Sequence, residues 1–330
     1  MKKNVRLVLL FALIAVMLVM TAVFASAATT EAELKSEIAA GNATVAGDIT
    51  VTEGIVIDKA TTITGTGTIT FTGEGSLFTV TGSGNVTLDG VKATADAKTL
   101  VNADVNYTGT LTLNNCVFSV TGNCYMIRAN CPGTIEVIGA STHYTHTGGA
   151  YGSNNNGIFS PETKKNANEE AVAGQLNIRA GSFATDGRTI IQVLGSTTVP
   201  YVTNIYGGNF TSTGSYIVHA NNDGTVNIYG GTFVGINNYA GASLFRVSDG
   251  YASLNLHGGT FTQKGQGAVS DYHRGAYIVE KNSGYLNIEK AEDATLVFNH
   301  EGAGGMFYFA STDPTIEPRR PRLQVQRRNL

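Results

Sequence analysis

Few residues of this 330-residue chain carry reactive groups, and most stand apart. Asp271, His273 and Arg274 come closest to a cluster, joining a carboxylate, an imidazole and a guanidinium in four positions. Those are the residue types of general acid–base work. A charged loop held only by solvent explains them as well, so no catalytic residue is expected, and these three are the weak candidates. His219 and Arg246 lie on neighbouring repeats and could face that loop or be buried partners. His143 and His146 stand three apart, but nothing marks a helix that would bring both to one metal, and no metal or cofactor is expected. Cys116, Cys124 and Cys131 lack a C-x-x-C pair; they can form one disulfide and leave a thiol, or be three small buried residues. A different chemistry is offered by Tyr206, Tyr229 and His257 with Asn204, Asn227 and Asn255. Flat rings and amides in rows can receive a sugar, the rings against its C–H faces and the amides at its hydroxyls. The competing reading is cross-strand packing that stiffens a sheet.

The elements that would position these residues are repeated. Val202-Thr203-Asn204-Ile205-Tyr206-Gly207-Gly208-Asn209-Phe210 recurs as Thr225-Val226-Asn227-Ile228-Tyr229-Gly230-Gly231-Thr232-Phe233. It recurs again as Ser253-Leu254-Asn255-Leu256-His257-Gly258-Gly259-Thr260-Phe261. The segment Gly174 to Phe183 carries the same apolar anchor at 178, and weaker copies place it at 88, 113, 137 and 288. Successive anchors are mostly 23 to 28 residues apart, with steps of 41 and 32 as exceptions. A second apolar strand precedes each anchor by about eleven residues, as in Tyr125-Met126-Ile127 and Tyr216-Ile217-Val218. One such unit cannot bury its apolar face alone, whereas stacked units can. The spacing predicts an all-β fold, a right-handed parallel β-helix. In each copy the apolar pair points inward and the asparagine outward, because alternate strand residues face opposite sides. Phe118, Phe183, Phe210, Phe233 and Phe261 are then a stacked core column. The alternating threonines from Thr62 to Thr72 read as β-propensity, without recurrence at matching offsets later.

Thr30-Glu31-Ala32-Glu33 matches a capping box, and Leu34 and Ile38 lie one turn apart before Gly41. A short helix over 30–40 would cover the first open coil. Together, cap helix, opening turns and Gly-Gly-x-Phe coils resemble the pectin-lyase-like right-handed β-helix superfamily, most of all its repetitive secreted and surface bacterial members. The resemblance covers roughly residues 30–310. It implies either a polysaccharide lyase or hydrolase, or an adhesin-like protein that binds glycan without cleaving it. The polygalacturonase-type motifs N-T-D, D-D, G-H-G and R-x-K are absent. Non-catalytic binding of polysaccharide or glycan is therefore the expectation, with the enzyme as one alternative and a spacer without ligand as another.

Address and charge complete the reading. Lys2, Lys3 and Arg6 precede an apolar run from Leu7 to Val23, and Ala25-Ser26-Ala27 closes it. This predicts a signal peptide over 1–27, a secreted or cell-surface product, and no membrane attachment after cleavage. The β-helix domain is expected over 28–310, with an insertion loop at 139–174. Residues 311–330 form a basic tail rich in Pro and Arg, either flexible or the product of a truncated or shifted frame. Removing the three leader cations and the five tail arginines from the net −3 leaves a body near −11. Such a body repels phosphate backbones, so nucleic acid is not an expected partner.

Overall fold

The computed structural model describes residues 27–148, 156–196, 198–236, 242–248, 250–265, 276–302 and 304–309. The leader, the tail and the Asp271–Arg274 group lie outside the described residues. Among the described residues the chain winds as a right-handed parallel β-helix with three faces of ten strands each. The first face runs from Asn42–Val45 to Tyr285–Ile288, the second from Ile49–Val51 to Leu296–His300, and the third from Ile55–Ile57 to Gly304–Phe309. Every coil contributes one strand to each face in turn.

Register shows why the repeat folds this way. The anchors Leu88, Leu113, Val137, Ile178, Ile205, Ile228, Leu256 and Ile288 pair one above another as a single inward column of the first face. The expected phenylalanine column is the inward column of the second face, with Tyr144 between Phe118 and Phe183. Its rings are 4.7 Å apart between Phe210 and Phe233, within 4° of parallel. The second glycine of each Gly-Gly-x-Phe makes the corner between these faces. Gly208 and Gly231 both adopt φ 110, and a Cβ on Gly231 would sit 3.0 Å from the Gly208 carbonyl oxygen. Only glycine takes that conformation freely and lets the corners stack.

Helix α1 (Glu31–Ala40) caps the first coil. Thr30 and Glu33 form both halves of the capping box, Gly41 terminates the helix at φ 99, and Leu34 and Ile38 are buried. The expected insertion at 139–174 holds two regular rungs, His143–Thr147 and Gly157–Pro161, followed by a small antiparallel pair, Lys164–Lys165 with Ala171–Val172. The threonines do recur in register, contrary to the expectation from spacing alone. Thr62 stands with Thr87 and Thr112 on the first face, and Thr70 with Thr50 and Thr94 on the second. The unequal turn lengths between faces hide this alignment in the linear sequence. All three cysteines are free and buried.

Candidate functional site

Two outward surfaces gather polar side chains at hydrogen-bonding distance. The first is the tyrosine and asparagine strip of the first face. Tyr206 and Tyr229 stack at 5.1 Å and 10°, and Tyr229 and His257 at 5.1 Å and 14°. The Arg179 guanidinium lies 4.7 Å above the Tyr206 ring, and His257 Nδ1 meets the Glu289 carbonyl oxygen at 3.2 Å. The ring faces are turned to one another along the solenoid axis. What the strip presents outward is edges and phenol hydroxyls, with Tyr206 43% and Tyr229 40% exposed.

Beside it, the asparagines form one continuous chain. Asn287 donates to Asn255 (2.7 Å), Asn255 to Asn227 (2.7 Å), Asn227 to Asn204 (2.8 Å) and Asn204 to Asn177 (2.9 Å). Asn177 donates to the Glu136 carboxylate at 2.7 Å, and Arg179 holds its other oxygen at 2.9 Å. Each amide donates in the same direction, so the chain polarises toward a carboxylate acceptor. Asn227→Asp keeps the bond from Asn255 but sets a carboxylate against the Asn204 oxygen. The expected loss is about 1–2 kcal/mol at pH 7, read from chemical unfolding. No change in stability there would show that the chain contributes nothing to the fold.

The second surface lies on the third face. Its outward register column runs Asn102, Arg128, Ser160, Gln192, His219, Arg246, Glu280 and Tyr308. (Ser160 and Gln192 stand opposite one another because each directly follows one of the register partners Phe159 and Ile191.) These side chains point away from the core, yet Ser160, Gln192, His219 and Glu280 are all buried. Arg128, Ser160, Gln192, His219 and Arg246 floor a groove of about 400 Å³ lined also by Tyr125, Glu162, Arg188, Asn221, Asn222 and Ser248. The Tyr125 hydroxyl donates to Gln192 Oε1. Arg246 donates to the Tyr216 hydroxyl at 2.6 Å and stands 3.7 Å from Glu280, while His219 Nε2 meets Ser248 Oγ at 2.7 Å.

The electrostatics of this groove argue against general-base chemistry. Ser248 and His219 have nucleophile–base spacing. Burial, and then the guanidiniums of Arg246 and Arg188, push the His219 imidazole down to about 3. Its Nδ1 is buried without a hydrogen-bond partner, so no carboxylate stabilises an imidazolium. Burial likewise pushes the Tyr125 phenol up to about 12. Glu162 is paired with Lys164 at 2.6 Å. The groove therefore combines hydrogen-bonding groups with the Arg128, Arg188 and Arg246 guanidiniums and the Glu162 carboxylate.

Of the residues singled out in the sequence, the strip assembles as one column, and His219 and Arg246 come together, one rung apart. Asp271, His273 and Arg274 lie outside the described residues. His143 is exposed and His146 buried on the opposite side of the same strand, so the two do not converge. No group of three metal-binding side chains occurs among the described residues. The groove's other members, above all Arg128 and Gln192, escaped sequence reasoning. A signal existed: the apolar strands aligned at Ile127, Val218, Phe245 and Val279 are each followed by a chemistry-bearing residue, Arg128, His219, Arg246 and Glu280. No protein-family model, no curated protein and no solved structure matches this chain.

Proposed function

We propose that this chain is a secreted or cell-surface β-helix protein, akin to the pectin-lyase-like superfamily, that binds polysaccharide without cleaving it. The observation that carries the reading is the third-face groove, whose outward polar column is buried as a floor rather than solvated. Rungs from Arg128 to Arg246 supply its side chains, five strands in succession. At about 4.8 Å between strands they span roughly 19 Å, a length suited to a chain of sugars rather than a single one. Gln, Asn, Ser and Tyr groups supply both donors and acceptors for hydroxyls. The Tyr206–Tyr229–His257 strip, with Asn204, Asn227 and Asn255, is proposed as an accessory surface that meets sugar through hydroxyl edges.

Incubation of the secreted protein with a polysaccharide panel tests this, scoring both retention and chain cleavage. Retention is expected without new chain ends. A Gln192→Leu, Asn221→Ala variant should bind about tenfold more weakly, since it loses two or more hydrogen bonds. New reducing or unsaturated ends would establish the lyase or hydrolase alternative. Failure to retain any member of the panel would leave the spacer reading.

A further inference from the structure

We propose that Tyr206 and Tyr229 form a site of oxidative modification, at which a haem peroxidase using hydrogen peroxide joins the two rings in an intramolecular dityrosine. The bond staples two adjacent coils of the first face. The inference is independent of any ligand of the third-face groove.

The exposure and pairing of the phenols carry the inference. Tyr206 is 43% exposed, Tyr229 40%, Tyr251 64% and Tyr285 53%. Apart from the half-buried Tyr308, every other described tyrosine is buried. The four exposed ones stand as two stacked pairs, Tyr206 with Tyr229 at 5.1 Å and 10°, and Tyr251 with Tyr285 at 6.4 Å and 18°. The first pair is the closer, and the fold fixes it. Ile205 and Ile228, which precede the two tyrosines, are register partners, and Asn227 donates to Asn204 at 2.8 Å in the neighbouring column. Each tyrosine backbone N–H donates to the preceding coil at 2.8 Å. The Arg179 guanidinium closes the stack at Tyr206, and the His257 ring closes it at Tyr229. Within the strip, each phenol has the other as its phenol neighbour.

Loss of a hydrogen atom from a phenol hydroxyl leaves a phenoxyl radical, its unpaired electron shared by the oxygen and the ring carbons ortho and para to it. The para carbon carries the side chain, so the ortho carbons are the ones that couple. They flank the hydroxyl, at the edge that the strip turns outward. Two such radicals held side by side form one carbon–carbon bond between ortho carbons, and the hydrogens displaced from those carbons return to the phenol oxygens. In sum, two phenols and one hydrogen peroxide give one dityrosine and two waters. Each phenol is oxidised by one electron, and the peroxide is reduced by two. Other donors to a one-electron oxidant are withdrawn. The chain has no tryptophan, and all three cysteines are buried. Burial pushes the Cys116 thiol up to about 12 and the Cys124 and Cys131 thiols up to about 11, so none offers a thiolate.

Incubation of the full chain, kept dilute, with a haem peroxidase and hydrogen peroxide tests this. The expected product is a monomer lighter by two hydrogen atoms, with dityrosine fluorescence and a link that peptide mapping by mass spectrometry places between Tyr206 and Tyr229. Its urea unfolding midpoint should rise above that of the untreated protein, because the link persists in the unfolded chain and restricts it. Tyr229→Phe keeps a stacked ring but has no hydroxyl to oxidise, and it should lose most of the product. Tyr251→Phe with Tyr285→Phe should keep it. Absence of dityrosine, a product formed chiefly between molecules, or one unaltered by Tyr229→Phe would overturn the assignment. Loss of the product in the Tyr251 and Tyr285 variant alone would move the site to that pair and overturn it equally. A linked product with an unchanged midpoint would overturn the staple.

Discussion

Phe210→Ala is expected to destabilise the solenoid by about 3–5 kcal/mol, the range for removing a fully buried aromatic ring. Phe210 has no exposed surface and lies between Phe183 at 4.9 Å and Phe233 at 4.7 Å, both stacked on it. A parallel β-helix has no other layer to close such a gap. The rung above and the rung below are held at the strand spacing by their own hydrogen bonds, so the cavity persists. Coils in a solenoid are stabilised by their nearest neighbours, and the loss should loosen the coils on both sides of Phe210. Urea unfolding reads the effect directly. Phe210→Leu, which refills most of the volume, should cost less than about 1.5 kcal/mol. A Phe210→Ala cost under about 1 kcal/mol would mean that the column is not tightly packed.

Acid should weaken the fold through His219. Its imidazole lies near 3 in the folded protein against an ordinary 6.5. Between these values the unfolded chain binds a proton that the folded chain does not. Stability is therefore fully present above pH 6.5 and is lost as the pH falls toward 3, at about 1.4 kcal/mol per pH unit. Between pH 7 and pH 5 the loss is about 2 kcal/mol. Burial lowers His146 too, in the same direction, so it adds to the loss. His219→Gln removes the His219 share while leaving a side chain that reaches Ser248. The variant's unfolding free energy should fall less steeply between pH 7 and 5 than that of the unaltered protein. Parallel pH profiles for the two would refute this origin.

Much of the architecture is readable from spacing because it is made of local repetition. The anchors from Leu88 to Ile288 form a single column. The phenylalanines five residues further on form another, and the Asn-x-Tyr positions form the outer ladder. Each follows from the two-residue strand period and from turns that return the chain to the same place. The cap was legible for a similar reason, since Thr30, Glu33, Leu34, Ile38 and Gly41 act within one short helix. The groove was harder to see. Arg128, Arg188 and Arg246 are far apart in sequence, and Ser160 and Gln192 look like ordinary outward strand residues.

The few chemistry-bearing residues of the chain thus take on a different meaning in the fold. By itself the sequence determined the coil, its inward columns and the row of rings and asparagines, because stacking is governed by residues within one repeat and the next. Only the tertiary structure decided how those groups are turned: the Tyr206 and Tyr229 faces toward each other, the asparagine amides into a chain ending at Glu136. It also decided that outward residues on the third face are buried as the floor of a groove. The physical reason is that concavity and ring orientation depend on register and packing summed over several coils, which no single repeat contains.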